Sequence, residues 1–221
     1  TGSYIRDHKT ALSIVDCVTS LGACNVPVDK WQLDIVASGS QKGYMIPPGL
    51  SFISVSQKAW EAAEKSNLPK FYLNLKSYRK SLSSNSNPYT PAVNLVFALD
   101  ESLKMMREEG LDNIFLRHDK HKLAMSNAVK ALNLKLFADE RYLSPAVTAI
   151  QTGEIDAEEF RKTIKNKFDI LLAGGQDHLK GKIFRVGHLG YVNDRDIITV
   201  ISAISKTLLD PVSYTHLTLP T

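Results

Sequence analysis

The chain has 221 residues, 43% hydrophobic and 23% charged, the balance of a globular protein with enough apolar mass for one or two cores. Its 27 basic and 23 acidic residues give a net charge of +4 with no dense run of one sign, which argues against a nucleic-acid partner. No apolar stretch reaches membrane-spanning length and no signal segment opens the chain, so a cytoplasmic address without a membrane partner is expected; Cys17 and Cys24 lack CxxC spacing and read as reduced.

Residues 11–17, ALSIVDC, predict a short strand covered on both faces, as in α/β sheets. After a connection marked by Gly22 and Pro27, a second run, DIVAS at 34–38, leads into SGSQKGYMIPPG. A third, LSFISVS at 50–56, follows Pro47, Pro48 and Gly49. QKAWEAAEKS at 57–66 is predicted helical, and KSYRKSLSSNSNPYT at 76–90 reads as Ser/Asn-rich loop. Thr90 or Tyr89 then caps a long helix with Pro91 in its first turn and Val96, Leu99, Leu103 and Met106 on its apolar face. Gly110 interrupts it, and a further helix presents Ile114, His118, Met125, Val129 and Leu132 inward.

Beyond that helix come strands LKLF and AVTAI, helix AEEFRKTIKNKF, strands ILLAG and KIFRVG, and helix DRDIITVISAISKTLL. This order predicts an α+β unit with its own core and a boundary near 104–113, dividing the chain into 1–103 and 104–210. Three strands before the long helix are few for a two-sided sheet, so the chain is expected to begin inside a domain. Residues 211–221, PVSYTHLTLPT, continue no periodicity and are expected to be a non-native tail.

Lys42 sits between a Gly-Ser turn and two prolines, where small residues let backbone approach a ligand and the prolines stiffen the far side. A lysine held there can be desolvated and form a Schiff base; a lysine on a surface turn is the plainer alternative. Asp16, at the end of a strand expected to be buried, calls for a cationic partner. The protonated ring nitrogen of pyridoxal phosphate would be one.

VDCVTSLGA and WQLDIVASGSQKGYMIPPGLSFISVS resemble the class V, fold-type-I pyridoxal-phosphate aminotransferases of the alanine–glyoxylate and serine–glyoxylate (serine–pyruvate) type. TPAVNLVFALDESLKMMREEGLDNIFLRH and GKIFRVGHLGY are similar to the same family, so the resemblance spans 1–209. It implies the C-terminal part of a large α/β domain with a mainly parallel sheet, followed by a small α+β domain, in a homodimer. By position, Lys42 would be the Schiff-base lysine and Asp16 the partner of the ring nitrogen. Gln41 would help hold the cofactor phosphate, Thr90 would reach the phosphate of the neighbouring subunit, and Arg185 would grip the substrate carboxylate. Tyr89 stands where relatives differ.

The implied reaction is transamination of alanine or serine with glyoxylate or pyruvate, Lys42 acting as the base once displaced from the aldehyde. The family's Gly/Ser-rich phosphate loop and ring-stacking residue have no counterpart in this sequence. An inactive chain unable to hold cofactor therefore stays open, beside a lyase or desulfurase of the same fold. No metal is expected: His118 and His121 have helical spacing but no acidic or Cys companion nearby, and packing explains them. His188 reads as structural or as bordering the site entrance, and AGGQDH at 173–178 lacks a dinucleotide fingerprint.

Overall fold

The computed structural model describes residues 11–209, and the tail at 211–221 lies outside them. The chain divides into two compact units, one holding residues up to Leu21 and Asn25–Glu109, the other Gly22–Cys24 and the residues from Gly110 on. No helix among the described residues is long and apolar enough to cross a membrane.

The first unit is built on a three-stranded sheet of β1 (Ile14–Asp16), β2 (Ile35–Gly39) and β3 (Ser51–Val55) in sequence order. β1 runs parallel to β2, with Asp16 opposite Ala37, and β3 runs antiparallel to β2, with Gly39 opposite Ser51. Helices α1 (Gln57–Glu64), α2 (Leu75–Ser83) and α3 (Val93–Glu109) follow. Three departures from the sequence reading stand out. The strands are not covered on both faces, since Ile14 is 72% and Ile53 48% exposed. The stretch 76–90 is not all loop: Asn74 accepts from the Lys76 N–H and starts α2, whose Leu75, Tyr78 and Leu82 recur at helical spacing. And α3 begins at Val93, with the Ala92 carbonyl receiving the Val96 N–H, so neither Tyr89 nor Thr90 caps it. Its inward row is Leu95, Leu99, Ser102 and Met106, which leaves Val96 half exposed.

A buried carboxylate joins the three strands at the end where β2 begins. Asp34 accepts from the Ser13 N–H at 2.9 Å, the Ser13 hydroxyl at 3.2 Å and the Ser56 hydroxyl at 2.8 Å, with Lys58 at 3.8 Å. Burial pushes its pKa up, but these donors and the lysine outweigh burial and hold it below the ordinary carboxylate value.

The second unit has a four-stranded sheet in the order β4 (Lys135–Leu136), β5 (Val147–Gln151), β7 (Ile183–Gly187), β6 (Ala173–Gly174), antiparallel throughout. Helices α4 (Leu111–Ala131), α5 (Ala157–Phe168) and α6 (Asp194–Leu209) complete it. One core joins Ile150, Phe184 and Val186 from the strands to Met125 and Val129 of α4, Phe160 and Ile164 of α5, and Ile197, Val200 and Ile204 of α6. Strand alternation puts Arg185, between the buried Phe184 and Val186, on the opposite face.

The α4 seam is lined by histidines, all without exposure worth naming: His118, His121 and His188. His118 donates through Nδ1 to the Ile114 carbonyl and accepts the Gly190 N–H at Nε2. His188 donates to the Pro145 carbonyl and accepts from the Thr148 hydroxyl at 2.8 Å. Burial, with smaller contributions from His121 and His118, lowers the His188 pKa to about 4 against the Pro145 bond. His188 is thus a structural residue of this core.

Candidate active site

β1 and β2 are parallel and in register, so their carboxyl ends lie at the same edge of the sheet. Asp16 closes β1 at that edge, and β2 runs out at Gly39 into the turn carrying Gln41 and Lys42. Ligands of open α/β sheets bind outside the carboxyl ends of the strands. A carboxylate at the end of β1 and an amine on the turn after β2 are a donor set suited to a protonated ring and an aldehyde.

Asp16 is exposed rather than buried, contrary to expectation. Its Oδ1 accepts the Val18 N–H at 2.8 Å, which fixes the carboxylate just past the strand end. The buried carboxylate that burial arguments call for is Asp34. Lys42 is half-buried, and its carbonyl accepts the Met45 N–H at 3.0 Å in a turn. Met45 is held at φ 61, a left-handed conformation that a bulky residue keeps only where its surroundings impose it. Gln41 is exposed, with its amide oxygen folded over Gly39: a β-carbon on residue 39 would lie 2.8 Å from it.

Thr90 is exposed, one residue past Tyr89. The Tyr89 hydroxyl donates to the Phe71 carbonyl at 3.1 Å, and its ring lies 4.7 Å from that of Tyr72 and 5.9 Å from that of Phe71. In the second unit, Arg185 donates through Nε to the Gly174 carbonyl at 2.9 Å. That bond orients the guanidinium plane, and the paired positions flanking it are the small Ala149 and Ala173.

Cys17 is buried, and burial, reinforced by the neighbouring Asp16 charge, pushes its thiol pKa up. That is the opposite of an activated thiolate. Cys24 is half-buried, and neither cysteine is in a disulfide. Among the described residues no three His, Cys, Asp or Glu side chains gather as a metal site. Sequence reasoning missed Ser40 and Ser102, two buried serines that hold the lysine turn.

The fold is that of a pyridoxal-phosphate transferase. The chain belongs to the class-V aminotransferases, whose family model (Aminotransferase class-V) matches residues 1–179. It is 58% identical over 94% of its length to the soluble hydrogenase 42 kDa subunit of Anabaena cylindrica, and 36% identical over 90% to the serine–glyoxylate aminotransferase of Methylorubrum extorquens. It covers 54% and 52% of those two proteins, so the chain spans about half the length of the curated relatives it matches. Among solved structures, the alanine–glyoxylate aminotransferase of Nostoc sp. superposes with a TM-score of 0.88 at 29% identity, over 94% of this chain and 56% of that one. The cofactor that membership implies is pyridoxal phosphate, and the residues at the strand ends fit it in kind: an amine for its aldehyde, and an exposed carboxylate for its ring nitrogen.

Proposed function

We propose that the protein is a transaminase of small amino acids, with alanine or serine as donor and glyoxylate or pyruvate as acceptor, working through Lys42 as a homodimer. The observation that carries this reading is the in-register pairing of β1 and β2, which brings Asp16 and the Lys42 turn to one edge of the sheet. Bound pyridoxal phosphate would supply an aldehyde and an electron-withdrawing ring. Lys42 would hold the cofactor through its aldehyde, and its amine, when free, would serve as the base for the proton on the substrate α-carbon. Asp16 would pair with the protonated ring nitrogen of the bound cofactor. Gln41 and Thr90 would help hold the cofactor phosphate, Thr90 that of the neighbouring subunit. Arg185 binds the substrate carboxylate with two parallel charge-assisted bonds, which lysine cannot reproduce.

The test uses the protein expressed from its complete reading frame, assayed for keto-acid formation with alanine and serine against glyoxylate and pyruvate. Lys42→Ala should abolish turnover, and Asp16→Asn should lower kcat about a hundredfold, the scale of one preorganised charge. Arg185→Lys should raise KM for amino-acid and keto-acid substrates together while cofactor content holds. Full activity in Lys42→Ala would refute the reading.

A second reading is favoured by the 58% identity to a protein named as a hydrogenase subunit: the chain would act as a subunit of such an assembly. Hydrogen-dependent reduction of a viologen dye, measured in the source cells with and without the gene, separates the two. Loss of that activity on deletion, with no transaminase activity in the purified protein, would favour the second reading. The desulfurase alternative finds no activated thiol in Cys17, which is buried with a raised pKa.

A further inference from the structure

We infer that Ser40 and Ser102 are positioning residues that set the Lys42 amine in place: Ser40 substitutes its side chain for the last rung of the β2–β3 ladder, and Ser102 anchors the turn from α3. The inference rests on the proposed role of Lys42 for its meaning but not for its measurement. The β2–β3 register continues from Gly39–Ser51 to Ser40–Leu50, and Asp34–Ser56 at the other end is bonded, so alternation makes Ser40–Leu50 a hydrogen-bonded pair. Half of that pair is present: the Ser40 N–H donates to the Leu50 carbonyl at 3.1 Å. The return bond is not made to backbone. Instead the Leu50 N–H donates to the Ser40 hydroxyl at 3.2 Å.

That exchange frees the Ser40 carbonyl to turn out of the ladder, where it receives the Ile46 N–H at 3.4 Å. The hydroxyl proton goes to the Pro47 carbonyl at 2.7 Å. Ser40 therefore closes both ends of the 40–50 loop on itself while fully buried, and the chain leaves the sheet two residues before the lysine. On the far side of the loop, the buried Ser102 hydroxyl donates to the Tyr44 carbonyl, and the Tyr44 ring packs 4.7 Å from that of Phe52 on β3. Two turns earlier on α3, Leu95 lies so close to Gly49 that a β-carbon there would meet its Cδ1 at 2.5 Å. Gly49 also sits at φ +143, a conformation that side-chain-bearing residues avoid. Lys42 thus stands on a loop stitched at Ser40 and laid along α3 at Gly49 and Tyr44.

The experiment uses the protein from its complete reading frame, stripped of cofactor, as wild type, Ser40→Ala, Ser40→Cys and Ser102→Ala. In Ser40→Ala, amide exchange at Leu50, and at Ile46 as the loop loosens, should accelerate about tenfold or more while β2 and α3 keep their protection, because the Leu50 N–H and the Pro47 carbonyl lose their partner. Trace labelling of Lys42 by an amine-reactive ester, read by mass spectrometry against Lys58 and Lys76 in the same molecules, should rise about three- to tenfold in Ser40→Ala and Ser102→Ala as the loop opens. Ser40→Cys, which keeps a donor of similar size, should recover part of the wild-type labelling. In the loaded enzyme, kcat should fall about tenfold or more with KM for the amino acid nearly constant. If Ser40→Ala does not fold, Ser102→Ala alone decides. Unchanged Lys42 labelling in the folded variants overturns the inference. Failure of wild-type Lys42 to react with cofactor would instead refute the functional reading, and the labelling result would be unaffected.

Discussion

The two units bury apolar and polar side chains in different proportions. In the unit from Gly110 on, one continuous apolar core is drawn from α4, α5, α6 and the central strands, with His118, His121, Thr148 and His188 buried beside it. In the unit ending at Glu109, the buried positions include Ser13, Asp34, Ser38, Ser40 and Ser102, while Ile14, Ile53, Phe71, Leu73 and Phe97 face outward. Apolar packing is non-directional and supplies stability; buried hydroxyls and carboxylates supply geometry, because each demands one particular partner. The second unit therefore buries the larger apolar core, and in the first, where fewer apolar side chains are buried, hydrogen bonds hold a lysine turn and a strand end.

Truncating a core side chain should separate the two most sharply. Phe184 is fully buried, with its ring 5.2 Å from that of Phe160, so Phe184→Ala should cost about 3–5 kcal/mol in denaturant unfolding. Ile53→Ala, at a half-exposed position, should cost less than about 1 kcal/mol. Equal costs would remove the distinction.

Acid should unfold the second unit through His188. Its folded pKa, lowered to about 4, lies below the ordinary histidine value of 6.5, so the unfolded chain binds the extra proton between those values. The stabilisation is complete above pH 6.5, falls as pH drops toward 4 and is flat below, about 3 kcal/mol in all. His188→Gln should flatten that slope, as read from unfolding midpoints between pH 7 and 4. A slope that survives the substitution would assign the acid sensitivity elsewhere.

Asp34→Ala probes the polar strategy of the first unit. Removing the carboxylate strands the Ser13 N–H and the Ser56 hydroxyl, at about 2–3 kcal/mol. Because the Asp34 pKa is depressed, its contribution is present above the unfolded carboxylate value near 4 and disappears as pH falls through the folded one. Amide exchange localised to β1–β3 is the readout. Loss of protection across α4–α6 as well would mean that the units do not differ in the way described.

Much of this was readable in advance where one element carries its own pattern. Ile114, His118, Met125 and Val129 sit on one face of α4 because a single helical period orders them, and the structure buries all four. The strand-end positions of Asp16 and Lys42 were legible for the same reason, each following a short apolar run. The shift of the α3 face came from a polar residue in the inward row: Ser102 has a partner 58 positions away, which no local period reveals. Asp16 and Asp34 look alike as aspartates flanking strands, and only the pairing of Ser13, Asp34 and Ser56 across three strands shows which is buried. The part played by Ser40 depends on the β2–β3 register, a tertiary fact. In α2, Asn74 was the available signal, masked by the serines around Leu75, Tyr78 and Leu82.

The central claim is that Lys42 is the residue that reacts with the cofactor aldehyde. The most direct measurement is borohydride reduction of the protein, expressed from its complete reading frame and incubated with pyridoxal phosphate, followed by peptide mass spectrometry. The visible absorbance band should be lost and a single reduced adduct should appear on the peptide containing Lys42, absent from Lys42→Ala. An adduct confined to another lysine, or a stoichiometric adduct that persists in Lys42→Ala, would contradict the claim.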